Sequence, residues 1–383
     1  MKITDINIDI VERNLEFVGD NVQDHRGASA ITGGIVHQGI LRIKTDQGIE
    51  GNSMVGNHRG DSMSIINNIF NKFSNLLIGQ NPLDNVSLWT YLNKMPKWSI
   101  NRFSPMDFSS WASIDVALWD LKGKVSGLPV YSLLGGNLKE IPAYGTYQPR
   151  HNDPEGYVRE SDEMKDLGLK AYKIHPGPMD SNNTIKMVNL VRNNVDENYT
   201  LMLDPNNSYN YEKALKIGKV LDDNFFYWFE DPIRWDDFES IKNLSKKIKT
   251  PLAMSDQASF LFNENKLYVN QLAPQIMRGT SRKLGITGLM KSCAVSEAFG
   301  KRCEIGTGGN IFFNMANIHV TCSINNCTYY EYWMPTSTAD FATLEIISLD
   351  KDGKVGPNNK PGLGLTLNEE WIVDNKIFTI KES

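Results

Sequence analysis

The stretch Thr200-Leu201-Met202-Leu203-Asp204 is a short apolar run that ends in a carboxylate, and the chain repeats this pattern twice. Glu230 closes the run 225–229 and Asp256 follows the run 251–255, so each acidic residue stands 26 residues after the one before. One strand, one helix and two short loops need a segment of about that length. The spacing therefore predicts three successive strand–helix units, each with a carboxylate where its strand ends.

Equal spacing places these three carboxylates on one rim of a parallel sheet. Mg²⁺ prefers hard oxygen ligands of this kind, and the carboxyl-terminal rim is where (β/α)₈ barrels build their active sites. Three unrelated acidic residues in turns are the alternative, which the apolar run before each of them disfavours. We therefore predict a Mg²⁺ site formed by Asp204, Glu230 and Asp256.

Strand-like apolar runs continue with helical patterns between them from residue 141 onward. They lie near 141–147, 170–175, 200–204, 225–230, 251–256, 274–279, 301–306 and 327–331. Eight alternations favour a barrel over an open doubly wound sheet, and no Gly-rich phosphate fingerprint follows the first run. The first 125 residues mix strand and helix patterns without this rhythm, and the tail 342–383 returns to strands and turns.

Composition narrows the class of partner. The net charge of −5 comes without a block of Lys and Arg, which argues against nucleic acid and against a polybasic membrane contact. No apolar run approaches the roughly 18 residues of a membrane span, and acidic residues interrupt the first 15 residues, unlike a signal peptide. Four cysteines without a CxxC pair fit a reducing compartment. We expect a cytoplasmic protein.

Two side chains of the second predicted barrel strand are expected to point toward the carboxylates. Lys173 and His175 are two residues apart, and alternate residues of a strand share a face. A lysine near a divalent cation and another cation has its charged form disfavoured, so we expect a base that titrates near neutrality. Asn206 follows Asp204 by two residues and is expected either to face inward, toward a metal-bound water or the substrate, or to form a turn.

The spacing of Lys173 from Asp204 and the two equal gaps that follow resemble the enolase superfamily, in particular the branch of mandelate racemase and muconate lactonizing enzyme. Five further stretches are similar to segments of that family: 112–124 (ASIDVALWDLKGK), 127–130 (GLPV), 133–136 (LLGG), 284–288 (LGITG) and 361–364 (PGLG). The resemblance implies an α/β fold, a modified (β/α)₇β barrel with an α+β capping domain. It implies a capping domain of residues 1–125 completed by 342–383, and a barrel of residues 126–341.

The resemblance also implies a chemistry. One Mg²⁺ per subunit would bind Asp204, Glu230 and Asp256, although the third ligand in the family is usually Glu. A small carboxylate substrate would lose its α-proton to Lys173 or His175, the latter standing where the family's usual base stands. The ion would stabilise the resulting enediolate. Family members form symmetric assemblies, so a homo-oligomer is expected.

Departures from the family bear on the reaction. Gly279 and Gly306 stand where the family carries the acid–base groups of the sixth and seventh strands, and alternation is expected to turn Arg278 and Glu304 elsewhere. One face of the substrate would then lack a proton donor. A syn elimination needs one face only, so dehydration of an aldonic or aldaric acid is the first hypothesis.

Other candidate residues come from the cap and the strand ends. His25, Arg26 and His58 lie in segments that close over the substrate in this family, and either histidine would allow a second hypothesis, a racemase, epimerase or cycloisomerase. Tyr147 and Glu331 end the first and last barrel strands and are further substrate-binding candidates. A third hypothesis, motivated by the two glycines, is a catalytically silent homologue that binds a metal and a carboxylate.

Overall fold

The computed structural model describes residues 1–15, 34–57, 60–94, 105–256 and 274–382. Its strands are β1 Ile3–Leu15, β2 Gly34–Thr45, β3 Glu50–Val55, β4 Ile141–Thr146, β5 Ala171–Ile174, β6 Thr200–Leu203, β7 Trp228–Glu230, β8 Leu252–Met254, β9 Ile276–Gly279, β10 Arg302–Ile305, β11 Tyr330–Trp333, β12 Lys354–Val355 and β13 Lys376–Glu382. Its α-helices are α1 Met63–Asn68, α2 Asn75–Leu77, α3 Asn85–Lys94, α4 Pro105–Ser126, α5 Val130–Leu133, α6 Pro154–Asp166, α7 Ser181–Asn194, α8 Tyr211–Asp223, α9 Phe238–Ser245, α10 Ser281–Ala298, α11 Ile311–Thr321 and α12 Glu369–Asn375.

An antiparallel sheet in the order β13-β1-β2-β3 joins the two ends of the chain. Ile6, Ile8 and Ile10 alternate along β1 and are fully buried, as a strand with one covered face requires. They pack in one apolar cluster with Ile66 of α1 and Leu118 of α4. Because β13 pairs antiparallel with β1, the start of the chain and its C-terminal segment share one sheet and one core.

The second sheet is the predicted barrel. Its strands run parallel in the order β10-β9-β8-β7-β6-β5-β4-β11, with β12 added antiparallel to β4. Helices α6 to α11 lie between these strands in the chain. All eight predicted strands are present, although the last runs from Tyr330 to Trp333, later than the predicted 327–331. The prediction of an α/β barrel with a capping domain is confirmed.

Carboxylates bridge the seam between β10 and β11, where no ladder joins the strands in the described part of the chain. Glu304 accepts hydrogen bonds from the backbone N–H groups of Thr328 and Tyr329, at 3.1 and 3.2 Å. At the other end of the seam, Glu331 accepts the N–H of Thr307 at 2.9 Å. Where the barrel closes, these buried side chains therefore supplement the backbone hydrogen bond from Cys303 N–H to the Asn326 carbonyl, at 2.7 Å.

The inside of the barrel changes from apolar to polar within two residues along each strand. A fully buried apolar layer is formed by Tyr144, Ala171, Met202, Trp228, Ala253 and Ile276. The residues two positions further along five of these strands point the same way, and they are Thr146, Lys173, Asp204, Glu230 and Arg278. The apolar layer closes the floor of the barrel, and the polar layer above it forms the candidate site at the carboxyl ends of the strands.

Two buried aspartates of α4 explain the glycine-containing motifs. Asp115 accepts the N–H and the hydroxyl of Thr287, at 2.9 and 2.7 Å. Asp120 accepts the N–H of Leu363 at 2.9 Å. A Cβ on Gly285 would lie 2.4 Å from the Asp115 carboxylate, and a Cβ on Gly362 would lie 2.4 Å from that of Asp120. Hydrogen bonds and close packing therefore join the motif 112–124 to the motifs 284–288 and 361–364.

The predicted domain boundaries fall close to transitions in the structure. The boundary at 125/126 lies one residue before the end of α4. The C-terminal segment divides between the two sheets, because β12 pairs with β4 whereas β13 pairs with β1. The division at 125 and 341 stays a prediction.

None of the helices in the described ranges combines the length and the apolar character that a membrane span requires.

Candidate active site

The three predicted metal ligands are buried at the carboxyl ends of consecutive barrel strands. Asp204 directly follows β6, Glu230 ends β7, and Asp256 comes two residues after β8. Ser255, in between, has a φ of 88°. Such left-handed backbone is uncommon outside glycine. It interrupts the alternation of inward and outward side chains between Ala253, which faces inward, and Asp256.

Lys173 lies at the centre of the carboxylates. Its Nζ is 3.1 Å from Glu230, 3.0 Å from Glu331 and 3.4 Å from Asp204. Burial acts to lower the pKa of Lys173, but Glu230 and then Glu331 outweigh it and raise that pKa well above the ordinary value. The expectation of a lysine that titrates near neutrality assumed a bound divalent cation, and it stays a prediction for the metal-loaded site. Without the ion, the surrounding carboxylates favour the charged amine.

His175 is held in one orientation by the end of β4. Its Nδ1 is 2.6 Å from the carbonyl oxygen of Tyr147 and 3.0 Å from the hydroxyl of Thr146. A carbonyl only accepts, so we assign the proton of the neutral ring to Nδ1. Nε2 then lies on the carboxylate side of the ring, 3.1 Å from Asp204, a contact that becomes a hydrogen bond when Nε2 is protonated as well. The hydroxyl of Tyr157 donates to the carbonyl of His175 at 2.9 Å and fixes its backbone.

Arg278 is the functional residue that the sequence reasoning misplaced. Its side chain is fully buried, with Nε 2.9 Å from one oxygen of Glu230 and Nη2 2.7 Å from one oxygen of Glu331. Lys173 contacts the other oxygen of each, so two cations and two carboxylates form a closed ring. A Cβ on Gly279 would instead meet Leu289 and Cys303, outside the barrel. The alternation from the inward-facing floor residue Ile276 was the signal that could have placed Arg278 inward.

Gly306 does face the site. A Cβ there would lie 2.9 Å from Asp256, 3.1 Å from Arg278 Nη2 and 3.4 Å from Glu331. Glu304 shares this face but lies deeper in the barrel, where it holds the seam, so the expectation that it turns elsewhere is wrong. Gly306, at the seventh-strand position, therefore offers no proton-transfer group. The guanidinium of Arg278 lies beside it.

Asp256 is flanked by cations from the first turn of α10. Arg282 Nη2 is 3.6 Å from its carboxylate, and the amine of Lys283 donates to its backbone carbonyl. Burial acts to raise the pKa of Asp256, but Lys283, Arg282 and Arg278 together hold it far below its ordinary value. This carboxylate is ionised at neutral pH.

The remaining candidates are placed differently. The N–H of Asn206 donates to Asp204 at 2.8 Å, so its backbone steadies a predicted ligand. Both oxygens of Glu331 are engaged by cations. The ring of Tyr147 packs under the guanidinium of Arg150, 3.7 Å from its centroid, and only its carbonyl faces His175. The structure thus points the Tyr147 side chain away from the barrel interior, because it continues the outward face of Gly145, whose Cβ would meet helix α6.

The predicted cap residues His25, Arg26 and His58 lie outside the described residues.

The charge of the site fits a divalent cation. Four buried carboxylates, those of Asp204, Glu230, Asp256 and Glu331, face two buried cations inside the barrel. Burial raises the pKa of Glu230 well above its ordinary value, against Arg278 and Lys173, and the nearby Asp204 and Glu331 carboxylates raise it further. The oxygen donors suit Mg²⁺, and a divalent cation would offset the mutual repulsion of these carboxylates.

The ligands are nevertheless not arranged as a finished metal site. Among the described residues, no three His, Cys, Asp or Glu side chains are spaced to hold one ion. Both oxygens of Glu230 are taken by Lys173 and Arg278. An ion would therefore have to draw Glu230 away from one of these cations.

Two family models match the chain. The model of the mandelate racemase and muconate lactonizing enzyme N-terminal domain matches residues 28–135. The model described as enolase C-terminal domain-like matches residues 156–371, more than half of the chain.

Similar proteins extend over nearly the whole chain. A D-mannonate dehydratase from Caulobacter vibrioides is 26% identical over 367 residues, which covers 86% of this chain and 89% of that protein. The crystal structure of an enolase superfamily member from Polaromonas sp. JS666 superposes with a TM-score of 0.86 at 25% identity, covering 99% of this chain and 98% of that one. D-glucarate dehydratase from Agrobacterium tumefaciens, solved with magnesium, superposes with a TM-score of 0.84 at 26% identity, covering 99% and 100%. The chain therefore belongs to the mandelate racemase and muconate lactonizing enzyme branch of the enolase superfamily.

Proposed function

We propose that this protein is a Mg²⁺-dependent hydro-lyase that dehydrates a sugar acid, either an aldonic or an aldaric acid. The observation that carries the proposal is the one-sided site. His175 and Lys173 stand together on β5, whereas Gly306 leaves the seventh strand without a proton-transfer group. The similarity to a mannonate dehydratase and a glucarate dehydratase supports the same reaction class.

The carboxylates Asp204, Glu230 and Asp256 would hold one Mg²⁺ per subunit. When bound, the ion supplies Lewis-acid stabilisation of negative charge on the substrate carboxylate. Lys173, held protonated by its neighbours, adds a positive charge at the same place.

His175 is the base that the geometry favours. Its Nε2 faces the interior, and Nδ1–H is held by the carbonyl of Tyr147. Nε2 takes the proton from the carbon next to the substrate carboxylate, and a double bond forms as the β-hydroxyl leaves. The departing oxygen takes the proton back from Nε2 and leaves as water, so the imidazole is restored. The enol product then becomes a 2-keto acid.

A racemase or epimerase needs a second proton-transfer group on the opposite face. Arg278 occupies that side, and a guanidinium stays protonated at any ordinary pH and cannot accept a proton. Two-base chemistry would therefore need a residue from the cap, His25 or His58.

The test is a library of aldonic and aldaric acids incubated with the protein and Mg²⁺, with semicarbazide to trap keto acids. We expect one or a few acids to give a trapped 2-keto acid, and none after EDTA treatment. Tight binding of an acid without a keto acid from any member would contradict the proposal and favour the silent homologue.

We further propose that the protein is a homo-oligomer of the cytoplasm. Among the large apolar side chains that are exposed in the single chain, five lie near its C-terminal end, and they are Leu344, Ile346, Val373, Ile377 and Phe378. All four cysteines are unpaired thiols, which fits a reducing compartment. Light scattering coupled to gel filtration tests the assembly, and a monomeric mass at micromolar concentration would contradict it.

A further inference from the structure

Gln148 carries a buried amide that the fold does not use. The residue is 2% exposed, and within the described ranges neither its oxygen nor its nitrogen has a hydrogen-bond partner. Burying an amide without partners costs stability, and an apolar side chain of the same size would avoid that cost. A buried amide in this state indicates a ligand that supplies its missing hydrogen bonds.

The strand register places Gln148 beside His175. In the pairing of β4 with β5, Gly145 stands opposite Tyr172 and Thr146 opposite Lys173. Continuing this parallel register by two residues sets Gln148 opposite His175. The two residues are also joined directly, since His175 Nδ1 contacts the Tyr147 carbonyl, whose carbon is bonded to the nitrogen of Gln148.

The alternation along β4, extended past its end at Thr146, predicts that the Gln148 side chain faces the barrel interior. Tyr144 reaches Arg278 with its hydroxyl at 3.0 Å, and Thr146 reaches His175 at 3.0 Å, so even-numbered residues of this strand face inward. Tyr147, between Thr146 and Gln148, faces outward against Arg150. By this alternation, Gln148 would be the next inward position, at the barrel mouth and one step above the polar layer.

We propose that Gln148 is a substrate-contact residue that binds a hydroxyl group of the sugar acid on the side of His175. The inference rests on the proposed function and specifies its substrate class. A neutral amide is not the group that holds the carboxylate, because the cations Lys173 and Arg278 would do so better. Its oxygen accepts from one hydroxyl and its nitrogen donates to the same or a neighbouring hydroxyl. The protein is thereby selective for an acid with hydroxyl groups beyond the β-carbon.

Gln148→Met, which keeps the length and removes the polar atoms, gives the first test. In the ligand-free protein we expect Tm to rise, since an unpaired amide has been removed. A fall in Tm would show that the amide has a partner in the fold and would overturn the inference, whether or not any acid is turned over.

The second test compares a substrate with its deoxy analogue lacking one hydroxyl beyond the β-carbon. We expect wild type to lose about 10- to 100-fold in kcat/KM on the analogue that lacks the contacted hydroxyl, and Gln148→Met to treat the two acids alike. Undiminished discrimination by Gln148→Met would overturn the inference while leaving the dehydratase assignment intact. Gln148→Asn, which shortens the amide by one methylene, serves if the Met variant does not fold, and discrimination should fall there too.

Gln275→Met is the matched control. Gln275 precedes β9 at the other end of the barrel, is exposed, and its oxygen accepts the N–H of Leu252 at 2.9 Å. This variant should not raise Tm and should keep wild-type discrimination. If the protein turns over no acid, Tm shifts on adding acids with Mg²⁺ replace kinetics. An acid that stabilises wild type but not Gln148→Met would sustain the inference although the dehydratase proposal had failed.

Discussion

At the scale of single residues, the ion-pair ring is what assigns proton transfer to His175 in the proposed mechanism. Glu230, Glu331 and Asp204 surround Lys173 and favour its charged form, whereas His175 touches only Asp204 among the carboxylates of the described residues. The different surroundings of Lys173 and His175 therefore favour a charged role for the lysine and a base role for the histidine.

His175→Gln tests this division. We expect kcat to fall by about 10²–10⁴-fold, the usual contribution of a general base, while Mg²⁺ affinity measured by calorimetry stays close to wild type. His37→Gln is the control, because His37 lies on β2, partly exposed and paired with Asp61 at 2.6 Å. Retained turnover in His175→Gln would remove His175 as the base.

Arg278→Met tests whether the guanidinium competes with the metal. Without the ion, the variant should lose about 3–5 kcal/mol in the free energy of unfolding, since Glu230 and Glu331 each lose a buried partner. Denaturation in EDTA measures this loss.

The same variant should bind Mn²⁺ more tightly than wild type, because one oxygen of Glu230 is released toward the ligand set. Arg302→Met, which loses a 3.6 Å pair with Glu304 at the barrel floor, should leave Mn²⁺ affinity unchanged. Weaker Mn²⁺ binding by Arg278→Met would show that the guanidinium organises the site instead of competing for it.

At the scale of elements, α4 connects the cap to the barrel. Its Asp115 holds the kink of α10 at Gly285, where φ is 64° and a side chain would strike the carboxylate at 2.4 Å. Gly300 has nearly the same φ, 67°, but open space at its Cβ position. Comparing Gly285 with Gly300 therefore separates the free-energy cost of a left-handed backbone from the cost of the steric clash with Asp115.

Gly300→Ala should lower the free energy of unfolding by about 1–2 kcal/mol, the cost of a left-handed residue with a Cβ. Gly285→Ala should cost clearly more, because Asp115 must also move. Urea denaturation measures both, and equal losses would mean that the contact with Asp115 carries no energy.

The barrel strands and helices could be predicted from the sequence because a single repeated pattern marked them. Most barrel strands are short runs dominated by apolar residues, and the repeated gaps between Asp204, Glu230 and Asp256 revealed the strand–helix unit. Arg278 was misplaced because counting along the chain gives spacing but not the face of a four-residue strand. The ring around Lys173 arises from four strands, and no local signal announces it. Gln148 has no sequence signal either, since its importance lies in the partners it lacks.

At the scale of the whole molecule, Asp9 ties the first strand to the last. Thr379 of β13 donates to it at 2.6 Å, and Arg42 of β2 lies 3.1 Å from it. Burial acts to raise the pKa of Asp9, but Thr379, then Arg42 and Lys376, lower it below the ordinary value. A depressed folded pKa stabilises the protein above the unfolded pKa, about 3.9, and that stability is lost as the pH falls through the folded value.

Asp9→Asn should therefore be less stable than wild type at pH 7, by about 1–3 kcal/mol. The difference should shrink as the pH falls from about 4 toward the lower folded pKa, where wild-type Asp9 also becomes neutral. Urea denaturation at a series of pH values measures this convergence. A constant difference between pH 7 and pH 3 would show that the charge of Asp9 is not what joins the two ends of the chain.

The whole account rests on proton transfer from one face, which isotope labelling in D₂O tests most directly. With the active acid and Mg²⁺, we expect a 2-keto acid that carries solvent deuterium on the carbon that bore the leaving hydroxyl, and recovered substrate of unchanged configuration. Recovery of the α-epimer with deuterium on its α-carbon, without any keto acid, would contradict the account.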